Sequence, residues 1–252
     1  MSKAAHFLEQ HPLCCFCGGA RPASTIDHQP ARIVFPDKRR PKGLEFPACA
    51  DCNRQTSPDE ALLAFVCRFT GSQRSNAVID FHRLKDIVGS VNRAFPGLFE
   101  RMKGSRTWVH ERGILVRKGA IDVNQPEVNL SLCRIAAKLA LAIYYQTRSS
   151  PAVSKCWINT QWTHSQNKDN FDHVQNLIQL APGRATLQMG KWNTDESFFL
   201  RYHYENGQLF CVAIFHQSVA LVAKLYEPYV PLQEKWQFAM SPLPGTGIAV
   251  LS

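Results

Sequence analysis

The chain has 252 residues, of which 45% are hydrophobic and 19% are charged. This composition excludes disordered, collagen-like and low-complexity proteins, and the length suits one large domain or two ordinary ones. Lysine and arginine total 29 against 20 acidic residues, and the net charge of +9 favours a polyanionic partner, although excess positive charge also serves solubility alone.

The N-terminal sequence gives the first indication of location. Its opening residues, MSKAAHFLEQHP, lack the apolar segment of a secretory signal, and the chain contains no run of 18 apolar residues. We therefore expect a cytoplasmic protein that does not enter a membrane. In an unexported chain, the nine cysteines are expected to be thiols or metal ligands rather than disulfides.

The segment from residue 12 to residue 58 is rich in Pro, Gly, Arg and Cys and contains only short apolar stretches. We expect a strand that ends near Ile26, with weaker strand candidates at residues 31–35 and 44–46. Ser57, Pro58 and Glu60 then form a capping box with serine at the N-cap, and this box also accounts for Asp59 and Glu60 without a metal.

The remaining elements follow in chain order. A helix begins at the capping box and ends at Gly71, and residues 75–103 predict an amphipathic helix that Pro96 breaks. Residues 128–147 form the most apolar predicted helix. Asn206-Gly207, between two strand-like runs, predicts a type I′ hairpin.

The fold class that we expect is α+β. A zinc-stapled ββα-metal module at residues 1–58 is followed by a helical region and a C-terminal antiparallel sheet at residues 59–252. The role of this second domain stays open between substrate grip, partner binding and oligomerisation.

Four of the nine cysteines form two C-x-x-C pairs, Cys14/Cys17 and Cys49/Cys52. Two such clips supply the four thiolates of a closed tetrahedral zinc site, in which no position is left for water or substrate. The sequence therefore predicts a structural zinc ion. The other five cysteines, which we expect to be small buried side chains, are Cys15, Cys67, Cys133, Cys156 and Cys211.

Three polar residues lie where the zinc clips would draw them together. Asp27 and His28 fall inside the loop between the clips, and Asn53 directly follows the fourth cysteine. Oxygen atoms of Asp27 and Asn53 suit magnesium or manganese, while an unligated His28 is suited to take a proton from water. Neighbours on a regular strand point to opposite faces, so Asp27 and His28 share one site only if the strand bends or ends there, which Pro30 favours.

The residues Cys14, Cys17, Asp27, His28, Pro30, Cys49, Cys52 and Asn53 together resemble the HNH, or ββα-metal, endonucleases. The resemblance covers about residues 12–60. It implies hydrolysis of a phosphodiester bond with His28 as the general base and one divalent cation on Asp27 and Asn53. The middle asparagine of that family is replaced here by Leu44.

Basic residues near this site predict contacts with nucleic-acid phosphates. They are Arg32, Lys38, Arg39, Arg40, Lys42 and Arg54. A second basic group between residues 101 and 118, which includes Trp108, is a candidate extension of that surface or a solvated charged segment.

Two functions follow as expectations. The first is a metal-dependent endonuclease that acts on double-stranded DNA more readily than on RNA, of the kind used in restriction, antiphage defence or mobile elements. The second is a non-catalytic, zinc-containing nucleic-acid-binding protein. A homo-oligomer or a partner protein bound through the second domain is compatible with both.

Overall fold

The structure, a computed structural model, describes residues 2–35, 40–70, 81–111, 113–153, 155–178, 183–184, 188–189, 192–193, 197–228 and 247–250. It is mixed helix and sheet, with an antiparallel sheet towards the C-terminus. The broad fold class expected from the sequence is therefore confirmed.

The first part of the chain forms two short strands and a short helix around the C-x-x-C pairs, and we call residues 12–55 the cysteine module. Strands β1 and β2 are antiparallel, with Asp27 opposite Phe46 and His28 opposite Glu45. The N-terminal elements are α1 (Lys3–Gln10), β1 (Thr25–His28), β2 (Glu45–Ala48) and α2 (Ala50–Gln55). Strand β1 ends two residues before Pro30, as the missing N–H of proline suggests.

The strand predicted at residues 31–35 is wrong, because the chain forms a 3₁₀ turn at Arg32–Val34. The backbone N–H of Val34 donates to the carbonyl of Ala31 over 3.1 Å, and that of Phe35 donates to Arg32 over 3.2 Å. This turn brings the neighbouring side chains of Val34 and Phe35 into the core together. A strand would point them to opposite sides.

Five helices follow the module within the described residues: α3 (Ser57–Thr70), α4 (Phe81–Ala94), α5 (Leu98–Arg101), α6 (Pro126–Arg148) and α7 (Lys168–Leu177). The break predicted at Pro96 lies between α4 and α5, and the predicted apolar helix is α6. This helix of 23 residues is long and apolar enough to cross a membrane, but 83% of its most apolar window is buried inside the protein. The structure therefore uses α6 as a core helix.

The large sheet has six described strands, which are β5 (Trp157–His164), β6 (Gly183–Arg184), β9 (Phe198–Glu205), β10 (Gln208–Phe215), β11 (Val219–Tyr226) and β12 (Gly247–Val250). They are antiparallel and lie side by side in the order β12-β5-β11-β10-β9-β6. The predicted hairpin joins β9 to β10, with φ of 48° at Asn206 and 74° at Gly207. Both central residues thus adopt the left-handed conformation that the type I′ turn requires.

Strand β10 is buried on both faces, since helices cover both sides of the sheet. Its odd-numbered residues join the main core with α6, whereas Phe210, Val212 and Ile214 pack in a second cluster with α7 residues Phe171 and Val174. Because successive side chains of a strand point to opposite faces, β10 contributes side chains to two apolar layers.

The two predicted domains share one hydrophobic core. The main cluster runs without a break from Phe16 of the cysteine module to Leu225 of β11. The rings of Phe35 and Phe198 meet edge to face with centroids 6.2 Å apart, and the Nε2–H of His216 donates to the carbonyl of Val34 over 3.0 Å. Residue 58 thus marks a change of pattern in the sequence rather than a gap in the packing.

In the part of the chain that the structure describes, two further strand pairs are separate from the large sheet. Strands β3 (Lys103–Glu111) and β4 (Ile114–Ile121) form one two-stranded sheet, and β7 (Gln188–Met189) and β8 (Trp192–Asn193) form another.

Candidate functional site

The four predicted zinc ligands come together in the structure. The sulfur atoms of Cys14, Cys17, Cys49 and Cys52 all lie within 4.8 Å of one another. Four sulfurs at a Zn–S distance of about 2.3 Å stand about 3.8 Å apart in a tetrahedron, so the cluster is compact enough for one ion. Among the described residues, this is the one group of three or more Cys, His, Asp or Glu that meets this distance. The four cysteines are therefore able to hold a zinc ion.

Local backbone geometry builds each half of the cluster. After the first pair, the N–H of Gly19, at a φ of 77°, donates to the carbonyl of Cys14 over 3.0 Å. In the second pair, Cys49 is the N-cap of α2, and its sulfur accepts from the N–H of Cys52 over 3.5 Å. A tight turn and a helix start thus place each pair of sulfurs on one side of its backbone.

Asp27, a predicted cation ligand, is paired with a lysine of helix α6. Its carboxylate Oδ2 lies 2.6 Å from Nζ of Lys138, and its Oδ1 accepts from the side chain of Gln29 over 3.2 Å. Asp27 and Lys138 are each only 4% exposed. The carboxylate is therefore neutralised within the protein and closed to a substrate.

Lys138 has two more oxygen partners, both at the start of helix α3. Its ammonium lies 3.3 Å from Oε1 of Glu60 and donates to the hydroxyl of Thr56. Burial raises the pKa of Glu60, and the nearby positive charge of Lys138 opposes that shift. The ammonium thus stands among the oxygens that a divalent cation at Asp27 would need, and the magnesium or manganese expected from the sequence stays a prediction.

His28 lies on the other face of β1. Its Nδ1 is 3.5 Å from Oε1 of Glu45, its register partner, and Nη2 of Arg40 is 3.8 Å from the same oxygen. Burial and then the charge of Arg40 lower the pKa of His28, against the weaker effects of Glu45 and Asp27. The shift favours the neutral imidazole, which is the form that accepts a proton.

Asn53 is directed towards β1 from helix α2. Its Nδ2 donates to the hydroxyl of Thr25 over 3.0 Å, and that hydroxyl donates to the carbonyl of Ala48 over 3.1 Å. Thr25 and Asp27 lie two residues apart and so share one face of the strand. The structure thus brings Asp27 and Asn53 to the same face of β1, with His28 on the opposite face.

The basic residues predicted to contact phosphates differ in their surroundings. Arg32 and Lys42 are exposed and Arg40 is half-buried near His28, whereas the side chain of Arg54 is paired with Asp51 on α2. Burial lowers the pKa of Arg40, and the carboxylate of Glu45 opposes that shift. The charge of Arg32 adds a smaller lowering effect, which Asp27 opposes in turn. Lys38 and Arg39 lie outside the described residues.

The ionic contacts between α3 and α6 were not predicted from the sequence. Asp59, assigned to the capping box, is 1% exposed and accepts from the hydroxyl of Ser131 and from Arg134, each over 2.7 Å. Glu60 is likewise directed to Lys138. One signal was available, because Lys138 is a charged residue inside the most apolar stretch of the predicted helix, where an unpaired ammonium is costly.

Comparisons of the chain with protein-family models, with curated proteins and with solved structures found no match. The HNH resemblance therefore stays a prediction from the sequence, and the function is argued from the chemistry of the site.

Proposed function

We propose that this protein binds nucleic acid through the face of the cysteine module that carries His28, Arg32 and Arg40. The observation that carries the proposal is the grouping of His28 and Arg40 around Glu45, whose Oε1 lies 3.5 Å from His28 and 3.8 Å from Arg40. The charge of Arg32 also acts on Arg40, although Glu45 has the larger effect there. The other acidic neighbour, Asp27, is paired with Lys138.

Neighbouring guanidinium groups attract an anion. A phosphate oxygen accepts charge-assisted hydrogen bonds from arginine, often from two N–H groups at once, and relieves the repulsion between neighbouring cations. His28, whose lowered pKa favours the uncharged form, adds a hydrogen-bonding group beside Arg40. The net charge of +9 would further attract a polyanion over longer distances.

Binding stands ahead of metal-dependent cleavage because of the state of Asp27. A cation that acts on a phosphodiester must contact both its protein ligand and the phosphate. The Asp27 carboxylate is buried and is occupied by Lys138 and Gln29. A metal at that carboxylate would have to displace the ammonium and open the packing between β1 and α6.

Binding is tested by fluorescence anisotropy with labelled duplex DNA, single-stranded DNA and RNA over a range of salt concentrations. We expect Arg32→Ala/Arg40→Ala to weaken binding and to lower the salt slope by about 2, since each phosphate contact contributes about 0.9. Arg93→Ala, at an exposed arginine of α4, is the matched control and should bind as wild type does. Wild-type protein that binds none of the three nucleic acids would contradict the proposal.

A second candidate function is the metal-dependent endonuclease suggested by the HNH resemblance. It is favoured by His28 beside Arg40, since the lowered pKa of His28 favours the neutral imidazole. Asp27 and Asn53 lie on the opposite face of β1. His28 would take a proton from water, and the basic face would hold the phosphate. A bound magnesium or manganese ion would supply charge neutralisation on the phosphate.

Plasmid nicking with magnesium or manganese separates the two candidates. If the second holds, His28→Ala abolishes nicking, while the exposed control His6→Ala leaves it unchanged. If the protein retards DNA but neither wild type nor either variant nicks it, binding alone is the function. Nicking that His28→Ala leaves intact would exclude the assigned base.

A further inference from the structure

The hairpin of β3 and β4 forms a two-stranded ribbon that no other described strand joins. The strands have nine and eight residues, and Glu111 pairs with Ile114 across a connection of two residues. At about 3.3 Å per residue the ribbon is on the order of 25 Å long. A two-stranded ribbon of this length ordinarily needs a partner surface to cover its apolar side chains.

The described side chains of this ribbon are exposed on both of its faces. Every ribbon residue whose side chain the structure describes is exposed, including Trp108 at 64%, Ile114 at 67% and Leu115 at 56%. Ile114 and Leu115 lie next to the turn and, as neighbours on β4, point to opposite faces, so the tip of the ribbon is apolar on both faces. Large exposed apolar side chains grouped at one end of an element are typical of a contact surface.

The charge of the ribbon indicates what covers it. Between residues 103 and 121 the sequence has five basic residues against one acid, Glu111, which is a net charge of +4. The basic residues are Lys103, Arg106, Arg112, Arg117 and Lys118. A second copy of this ribbon would be repelled by the like charge, whereas a polyanion would be attracted.

We propose that the ribbon is an arm that grips double-stranded DNA, with Ile114 and Leu115 as an apolar wedge in the minor groove. Proteins that bend DNA press such wedges against a base step, unstack it in part and kink the duplex, while arginine and lysine contact the flanking phosphates. The exposed apolar tip of this ribbon and the basic sequence of its strands match the two kinds of contact. The inference rests on the proposed nucleic-acid function and names its substrate as duplex DNA that becomes bent.

The wedge is tested by energy transfer between dyes at the two ends of a DNA duplex. Wild-type protein shortens the distance between the dyes, and Ile114→Gln/Leu115→Gln abolishes the shortening and weakens binding about tenfold or more. Leu130→Gln is the matched control, because Leu130 is an apolar residue of α6 that is 55% exposed. The control should bend DNA as wild type does, and unfolding curves establish that each variant is folded.

The phosphate contacts are tested separately. Arg117→Ala/Lys118→Ala should lower the salt slope of duplex binding by about 2 and leave the preference for duplex over single strands intact. An unchanged slope would remove these strands from the interface.

Three results would overturn the proposed DNA-bending arm and leave the proposed nucleic-acid binding intact. In the first, wild-type protein binds DNA but does not bend it, and in the second, the tip variant bends DNA normally. In the third, single strands bind more tightly than duplex DNA, through Trp108. A dimer that the tip variant dissolves would show that a second copy covers the ribbon instead. Failure of the wild-type protein to bind any nucleic acid would overturn both proposals together.

Discussion

Lys138 illustrates how one buried charge organises its surroundings. Its ammonium contacts Asp27, Glu60 and Thr56, which come from strand β1 and from the start of helix α3. A buried ion pair gains little over apolar packing, but the loss of one partner leaves the other charge without compensation. The cluster is therefore a strong constraint on how α6 sits against the cysteine module.

Replacing Lys138 by methionine should destabilise the protein by about 3–5 kcal/mol, because Asp27 and Glu60 would remain buried without their cation. Urea unfolding at neutral pH measures the change. The triple variant Asp27→Asn/Glu60→Gln/Lys138→Met should lose clearly less, since no charge is left unpaired. Lys85→Met, at an exposed position of α4, should be near neutral. Equal losses in the single and triple variants would argue against an electrostatic role.

At the scale of elements, predictions succeeded where the deciding interactions are local. The β9–β10 hairpin depends on the conformations of Asn206 and Gly207, and the break before α5 depends on the proline ring of Pro96. Both are properties of a few adjacent residues. The sequence was therefore sufficient to predict them.

Predictions failed where the partner of a residue is distant in the chain. Asp59 and Glu60 fit a capping box by spacing, yet their carboxylates contact Arg134 and Lys138, 75 and 78 residues further on. For the same reason, the sequence led us to predict that Asp27, His28 and Asn53 lie close together, but it did not show on which side of β1 each of them lies. A sequence pattern specifies neighbours, whereas tertiary packing decides which charges meet.

The turn after β10 makes a contact between elements that should respond to pH. His216 donates to the carbonyl of Val34, and burial lowers its pKa, with Arg68 adding to that shift and the carbonyl opposing it. A lowered histidine pKa means that the unfolded chain binds the proton more readily. The contribution to stability is complete above the ordinary value of about 6.5 and is lost as the pH falls through the lower folded pKa.

His216→Gln should therefore flatten the fall in stability below about pH 6.5, by up to about 1.4 kcal/mol per pH unit for one proton. Unfolding free energies measured at several pH values test this. Part of the slope should remain, because burial also lowers the pKa of His28 and His164. The exposed control His6→Gln should keep the full slope, and an identical profile for both variants would contradict the prediction.

At the scale of the whole molecule, the continuous core ties the cysteine cluster to the large sheet. Phe16, Phe35 and Phe46 belong to the same apolar cluster as α6 and β10. Binding of a metal at the cluster stabilises whichever part of the chain unfolds together with it. We therefore expect zinc to affect the stability of the entire protein.

Metal analysis should find one zinc per chain, and Cys49→Ser or a strong chelator should remove it. The expected loss of several kcal/mol lowers the melting temperature by on the order of 10 °C or more, in one calorimetric transition. Cys156→Ala, at a buried cysteine away from the cluster, should keep its zinc. Two separate transitions, with only the earlier one sensitive to chelation, would show that the two parts unfold independently.

The position of Lys138 also affects whether the first 58 residues can fold on their own. A peptide of that length would retain all four cysteines, but Asp27 would lose the ammonium that α6 provides, and the aromatic ring of Phe35 would lose Phe198. Such a peptide should take up metal and yet remain a loosely ordered fragment. Adding the remainder of the chain as a second fragment should restore a fixed structure.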